Sequence, residues 1–207
     1  MGEIQVVYDD LTTFSCDAIV NSANPSLLAG SGLCRTIHRK AGKSLESECL
    51  ELGKCDIGEV RLTKSYDLLE NSIAWVIHAV APRWWGGNKS EVQQLEQVYK
   101  NCIEAAGNYA SLYKEQMLYI LRKYLEGEGF EEAFEDVKRY INEHPIREIA
   151  FPAIGVGIYH FPLELSAAIA KKALNEAIMK EGTIEKISIV CNDAQVYNIY
   201  KAIFEGR

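Results

Sequence analysis

The chain has 207 residues with 22 Lys+Arg against 29 Asp+Glu, a formal net charge of −7, and a 48% hydrophobic fraction that suffices for one substantial core. Aromatic residues at 10%, with only 5 Pro and 15 Gly, exclude disordered, collagen-like and linker-dominated chains. The acidic balance excludes a general nucleic-acid or membrane-surface binder, which needs excess Lys/Arg to displace counterions; any phosphate must be held at a local site. Six cysteines in a chain this long are not a disulfide framework, and no charged-then-apolar leader opens the sequence, so reduced thiols in a cytoplasmic protein are expected. The longest apolar stretches, such as 73–82 and 187–191, fall far short of the roughly 20 residues that span a bilayer.

Short β-branched runs alternate with helix-periodic segments, which predicts an α/β layer fold with helices on both faces of a largely parallel sheet. In chain order the strands are expected at 4–8, 18–22, 60–65, 74–80, 148–152 and 186–191. The helices are expected at 32–41, 43–52, 90–106, 162–180 and 194–204. Leu163, Ala167, Ala170, Leu174 and Ile178 show the helical spacing. Residues 108–145 break this rhythm. Leu112, Met117, Ile120, Leu121 and Tyr124 make one apolar stripe, and Phe130, Phe134, Val137 and Ile141 make another, with Pro145 closing the second helix. One domain over 1–207 with a helical hairpin inserted at 109–145 is the expected organisation. The hairpin either covers the sheet or, through the acidic face of Glu131, Glu132, Glu135 and Asp136, docks a protein partner.

Three segments can carry chemistry. In the first, a strand ends in Asn21 and Asn24, whose amides suit hydroxyl recognition beyond the strand ends; Gly30-Ser31-Gly32 then precedes a helix whose free N–H groups and positive dipole end favour an anion. An ordinary strand-to-helix turn accounts for the same pattern. In the second, a buried strand runs into Gly155-Val156-Gly157-Ile158, whose successive N–H groups can face a pyrophosphate without any Lys or Arg. Tyr159 follows, for stacking on a sugar or for the core. The third is Asp9-Asp10-Leu11, where a carboxylate can accept from an exocyclic amine or cap a turn. Cys34 and His38 share a helix face and can be imagined ligating a metal with Cys49 or Cys55. The spacing lacks the paired Cys-x-x-Cys pattern, so no metal is expected and His38 is read as making structural hydrogen bonds. His78 and Trp84-Trp85 line a pocket or pack as core and rim. Cys16, Cys102 and Cys191 read as buried small hydrophobes.

Taken together, the segment from Asp17 to Leu28, the glycine loop leading into Ile37-His38, Gly58-Glu59-Val60, Val76-Ile77-His78 and the run from Ala150 to Tyr159 resemble the macrodomain family (Appr-1″-p-processing-like). These modules bind ADP-ribose, and some hydrolyse its protein adducts or its O-acetyl ester. The match covers residues 3–107 and 146–205 and implies a three-layer α/β/α fold with a mixed, mostly parallel central sheet. It implies that Asp10 holds the adenine amine with the Leu11 backbone beside it, and that Asn24 sits at the distal ribose. The loops Gly30, Ser31, Gly32, Leu33 and Gly155, Val156, Gly157, Ile158 grip the phosphates, and Tyr159 flanks the distal ribose. Asn192, beside Asp193, stands where many members carry an aromatic against adenine. Cys34 replaces the Asp with which the hydrolytic branch works alongside the Asn. Binding without fast turnover, hydrolysis with water positioned by Asn24 or the ligand's phosphate, and a nucleophilic Cys34 all remain open. The implied ligand is ADP-ribose or an ADP-ribosylated protein, with no cofactor.

Overall fold

The computed structural model describes residues 2–206, so Met1 and Arg207 of the expected 1–207 domain lie outside the described residues. Six strands, β1 (Glu3–Tyr8), β2 (Ala18–Ala23), β3 (Val60–Lys64), β4 (Trp75–Val80), β5 (Glu148–Phe151) and β6 (Lys186–Cys191), form one sheet in the order β1-β6-β5-β2-β4-β3. All neighbours run parallel except the edge pair β3 and β4. The helices are α1 (Gly32–Ala41), α2 (Lys43–Leu52), α3 (Glu91–Gly107), α4 (Tyr109–Tyr124), α5 (Gly127–Glu143), α6 (Leu163–Lys180) and α7 (Ala194–Glu205). The expected elements lie within a residue or so of these bounds. A 3-10 turn at Tyr66–Asn71 is an addition, and β5 stops at Phe151 because Pro152 has no N–H to give the ladder.

Period-two alternation along the buried strands sorts side chains to two cores. Ala18, Val20, Ile77, Ile149 and Phe151 face a layer of α3, α6 and α7, whereas Ile19, Val76, Ala150 and Val190 face α1 and α2. The result is the three-layer α/β/α arrangement. Asp17 fixes the β2/β5 register, because one carboxylate oxygen accepts from the Arg147 and Glu148 amides at 2.8 Å each.

The hairpin α4–α5 packs its inner face on the first core. Trp75 makes edge contacts with Tyr109, Tyr113 and Tyr140, and its indole N–H donates to the His144 carbonyl at 2.7 Å. The Gln116 amide accepts from Leu62 N (3.2 Å) and donates to Leu62 O (2.6 Å), completing the outer ladder of edge strand β3. No helix among the described residues is long and apolar enough to cross a membrane, and all six cysteines are free and buried.

Candidate functional site

Five parallel strands end on the same side of the sheet, and the residues that follow four of them, β1, β2, β5 and β6, form a two-lobed cleft, where an open α/β sheet places its ligand. One lobe, of about 170 Å³, is walled by Ser22, Asn24, residues 30–34, Pro152, Ala153, Gly155, Gly157, Ile158 and Tyr159. The second, of about 200 Å³, is walled by Asp9, Leu11, Val156, residues 190–193 and Val196. Leu33, Pro152, Ala153 and Gly157 belong to both, so the two lobes meet between the glycine loops. Two of the larger depressions, of about 430 and 470 Å³, lie against α3/α6 and on α4, are lined mainly by charged side chains, and offer no glycine loop.

The first glycine loop meets an uncapped helix. Ser31 at the N-cap of α1 makes no side-chain cap and the first turn carries no acid, so the leading N–H groups and the positive dipole end face the cleft. Gly30 sits close under Asn24: a Cβ there would lie 3.2 Å from Asn24 Nδ2. In the second loop, Gly155 has φ +87° and its missing Cβ would stand 2.9 Å from the Phe161 ring. Hydrogen bonds from His160 N to Gly157 O and from Phe161 N to Gly155 O, each 3.0 Å, close that loop on itself.

Asn24 is fixed before any ligand arrives. Its Oδ1 accepts from Ser26 N at 3.0 Å and Ser26 Oγ at 2.5 Å, and its Nδ2 donates to Leu28 O at 2.8 Å, leaving one N–H free. Tyr159 is half-buried and donates to Ala23 O at 3.4 Å; burial, then the nearby Cys34, raises its phenol pKa and keeps it a donor. Cys34 Sγ points at Leu28 O, 3.7 Å away, with Asn21 Nδ2 at 3.6 Å. Among the described residues, no carboxylate, imidazole, ammonium or guanidinium lines this lobe, so none of them puts a side-chain base in its wall.

Asp10 is engaged at once in three directions. Its Oδ1 accepts from Thr12 N (2.8 Å) and Thr12 Oγ1 (2.6 Å), and its Oδ2 lies 3.5 Å from Lys40 Nζ. Its neighbour Asp9, not Asp10, lines the second lobe. Leu11 and Asn192 line it as expected, and Asp193 caps α7 by accepting from Gln195 N and Val196 N. Ser22, Pro152, Ala153 and Val190 were not singled out from sequence. Their signal is position alone, at the carboxyl ends of β2, β5 and β6.

Several expectations are corrected. Asn21 does not face the cleft: it is fully buried, and its Nδ2 lies 3.1 Å from Nδ1 of His78. Of the two readings of His78 the core one holds: it is fully buried within β4, and its Nε2 faces Thr63 Oγ1 at 3.0 Å and Cys49 Sγ at 3.7 Å. His38, expected to make structural hydrogen bonds, is buried beside the Leu27 backbone, but among the described residues neither ring nitrogen reaches hydrogen-bond geometry. His38, Cys49 and His78 bring ligand atoms within 4.8 Å of one another, a grouping different from the one the spacing suggested. Both nitrogens of His78 are already hydrogen-bonded. Burial pushes its pKa down to about 3 and the Cys49 thiol up to about 12, so the cluster is held as neutral imidazole and thiol. Trp84 and Trp85 line neither lobe; Trp84 packs on Phe161 with ring centroids 5.0 Å apart.

The family model described as Macro domain matches residues 20–112 and 122–170. The macro domain-containing protein CT2219 of Chlorobaculum tepidum is 36% identical over 204 residues, covering 98% of this chain and 96% of that protein. A protein of Pantoea vagans named O-acetyl-ADP-ribose deacetylase 2 is 33% identical over 204 residues, covering 97% of each. Among solved structures, the Oceanobacillus iheyensis macrodomain with ADP superimposes with a TM-score of 0.73 at 25% identity, covering 97% of this chain and 89% of that one. A glycine-walled cleft at the carboxyl ends of the strands, a matching family model and full-length relatives agree, and the chain belongs to the Macro domain family.

Proposed function

We propose that this protein binds ADP-ribose or a derivative across the two lobes and hydrolyses ADP-ribosyl esters, on protein carboxylates or as O-acetyl-ADP-ribose. The observation that carries the reading is the pair of glycine loops meeting between two lobes, with N–H groups in place of Lys or Arg. Adenosine lies in the lobe of Leu11 and Asn192, its amine toward the Asp9-Asp10 turn, where Asp9 lines the lobe and Asp10 stands beside it, held by Thr12 and Lys40. The diphosphate lies between Gly30–Leu33 and Gly155–Ile158, and the distal ribose beside Asn24 and Tyr159. The names of the relatives support the same ligand and the same ester chemistry.

With no side-chain base in the distal lobe, an attacking water is positioned by the free N–H of Asn24 and relieved of its proton by a ligand phosphate oxygen. The fixed amides around it stabilise the oxyanion that forms on the ester carbonyl; its collapse breaks the bond to the ribose oxygen, which leaves as the hydroxyl on taking up the proton held by the phosphate, giving the free carboxylic acid and ADP-ribose. Cys34 acts as a wall rather than a nucleophile in this account, since its thiol faces a carbonyl and an amide nitrogen instead of a base. The test is release of label from a carboxylate-linked mono-ADP-ribosylated protein by wild type beside Asn24→Ala. Release above buffer, lowered at least about tenfold in the variant, is expected. Label retained at the buffer rate, with ADP-ribose still bound, makes the protein a reader and refutes the hydrolytic half.

A further inference from the structure

The loop between β4 and α3 carries the protein's most exposed tryptophan and meets the cleft at its distal end. The Trp84 amide donates to the Tyr159 carbonyl at 2.8 Å, and the Trp84 ring packs on Phe161, so the segment is tied to the loop that walls the distal lobe. The fold of the segment is set by the buried Glu91 carboxylate, which accepts from Trp85 N (2.9 Å), Gly87 N (3.3 Å) and Lys89 N (2.5 Å). That turn holds Trp85 outward at 59% exposure. The Arg83 guanidinium lies 5.0 Å and the Lys89 ammonium 5.1 Å from its ring. Neither cation forms an ion pair with a described carboxylate.

Two unpaired cations fixed around an exposed indole are out of keeping with a chain of net charge −7. Such a chain repels an acidic macromolecule except where a local positive site receives it. Because the indole already has cations over it, the shelf offers positive charge rather than a bare ring for stacking a base. We infer that Arg83, Trp85 and Lys89 form a docking shelf for an acidic polypeptide segment, the stretch of the modified protein that flanks the carboxylate bearing the ADP-ribosyl group. The inference rests on the reading of the cleft above: with the distal ribose beside Tyr159, the carrier chain leaves the cleft next to the residue that Trp84 holds. Carboxylates that flank an ester-linked Glu or Asp then meet Arg83 and Lys89, and aliphatic stems lie on Trp85.

The experiment uses two synthetic peptides, each bearing one hydrolysis-resistant ADP-ribosyl group at its centre, one flanked by Glu and Asp and the other by Ser and Gly. Binding to the full chain is measured by calorimetry beside free ADP-ribose and a short ADP-ribose oligomer. Wild type is expected to prefer the acidic peptide about fivefold at low salt, with the preference fading as ionic strength rises. The double variant Arg83→Glu/Lys89→Glu loses the preference, Trp85→Ala weakens both peptides, and all variants bind free ADP-ribose like wild type. Equal affinity of wild type for the two peptides, or a preference that survives the charge reversal, overturns the shelf while leaving the cleft reading intact. An oligomer preferred over ADP-ribose in a Trp85-dependent way assigns the shelf to nucleotides and overturns the acidic-peptide assignment. Absence of free ADP-ribose binding in wild type overturns the cleft reading, and the shelf with it.

Discussion

Glu48, on α2, is a carboxyl enclosed at 7% exposure between β3, the 3-10 turn and α4. Its Oε2 accepts from the Tyr66 hydroxyl at 2.6 Å and more weakly from the Lys64 amide at 3.4 Å, and Tyr113, Tyr140, Lys64 and Cys49 surround it. Burial outweighs these partners and lifts its pKa from the ordinary 4.5 to about 7. At about 1.4 kcal/mol per pKa unit, that displacement corresponds to about 3 kcal/mol. The folded protein therefore binds more protons than the unfolded chain between pH 4.5 and 7, so this carboxyl lowers stability progressively as pH rises through that window. Glu48→Gln replaces it with a neutral group of the same shape. Urea unfolding of wild type and variant from pH 4.5 to 8 should show stabilities that coincide at the acid end and separate to about 1–3 kcal/mol in favour of Gln at pH 8. A difference that does not vary with pH, or a variant less stable at pH 8, refutes the reasoning.

Gly155→Val forces a side chain onto a backbone at φ +87° and into the Phe161 ring. It should cost about 1–3 kcal/mol in a thermal melt and abolish ADP-ribose binding; an unchanged melt with unchanged affinity counts against the loop geometry. Cys34→Asp places a carboxylate in a lobe that has none. It should raise ester hydrolysis by about a hundredfold, whereas an unchanged rate shows that a base at that position is not what the wild type lacks. Gln116→Ala removes both hydrogen bonds that complete β3 and should cost about 1–3 kcal/mol in urea unfolding. ADP-ribose affinity should stay at the wild-type value; a variant as stable as wild type would show that the hairpin does not support the sheet edge.

The alternation of strands and helices was legible because each element carries its own period: 2 in strands such as Ala18–Ala23, whose odd and even residues serve different cores, and 3.6 in α6. The glycine loops were legible too, since they follow strands directly and precede helices. Contacts between residues far apart in sequence were not. Asn21 reads as a cleft amide by its place near a strand end, yet the parallel register sets it beside His78, and Thr63 approaches from the antiparallel edge strand. That meeting depends on the order β2-β4-β3, which no local pattern encodes. Asp9 and Asp10 are likewise indistinguishable as a sequence pair. The turn that lets Asp10 accept from Thr12 directs Asp9 to the lobe. Glu91 carried no signal either, as an ordinary acid at a helix start, although it organises the whole loop before α3.

Calorimetric titration of the 207-residue chain with ADP-ribose tests the central claim most directly, because the account rests on backbone amides holding a diphosphate in an acidic protein. The account predicts a saturable heat for one ligand per chain, with a Kd on the order of micromolar. Folded protein that shows no saturation at on the order of hundreds of micromolar ligand would contradict it.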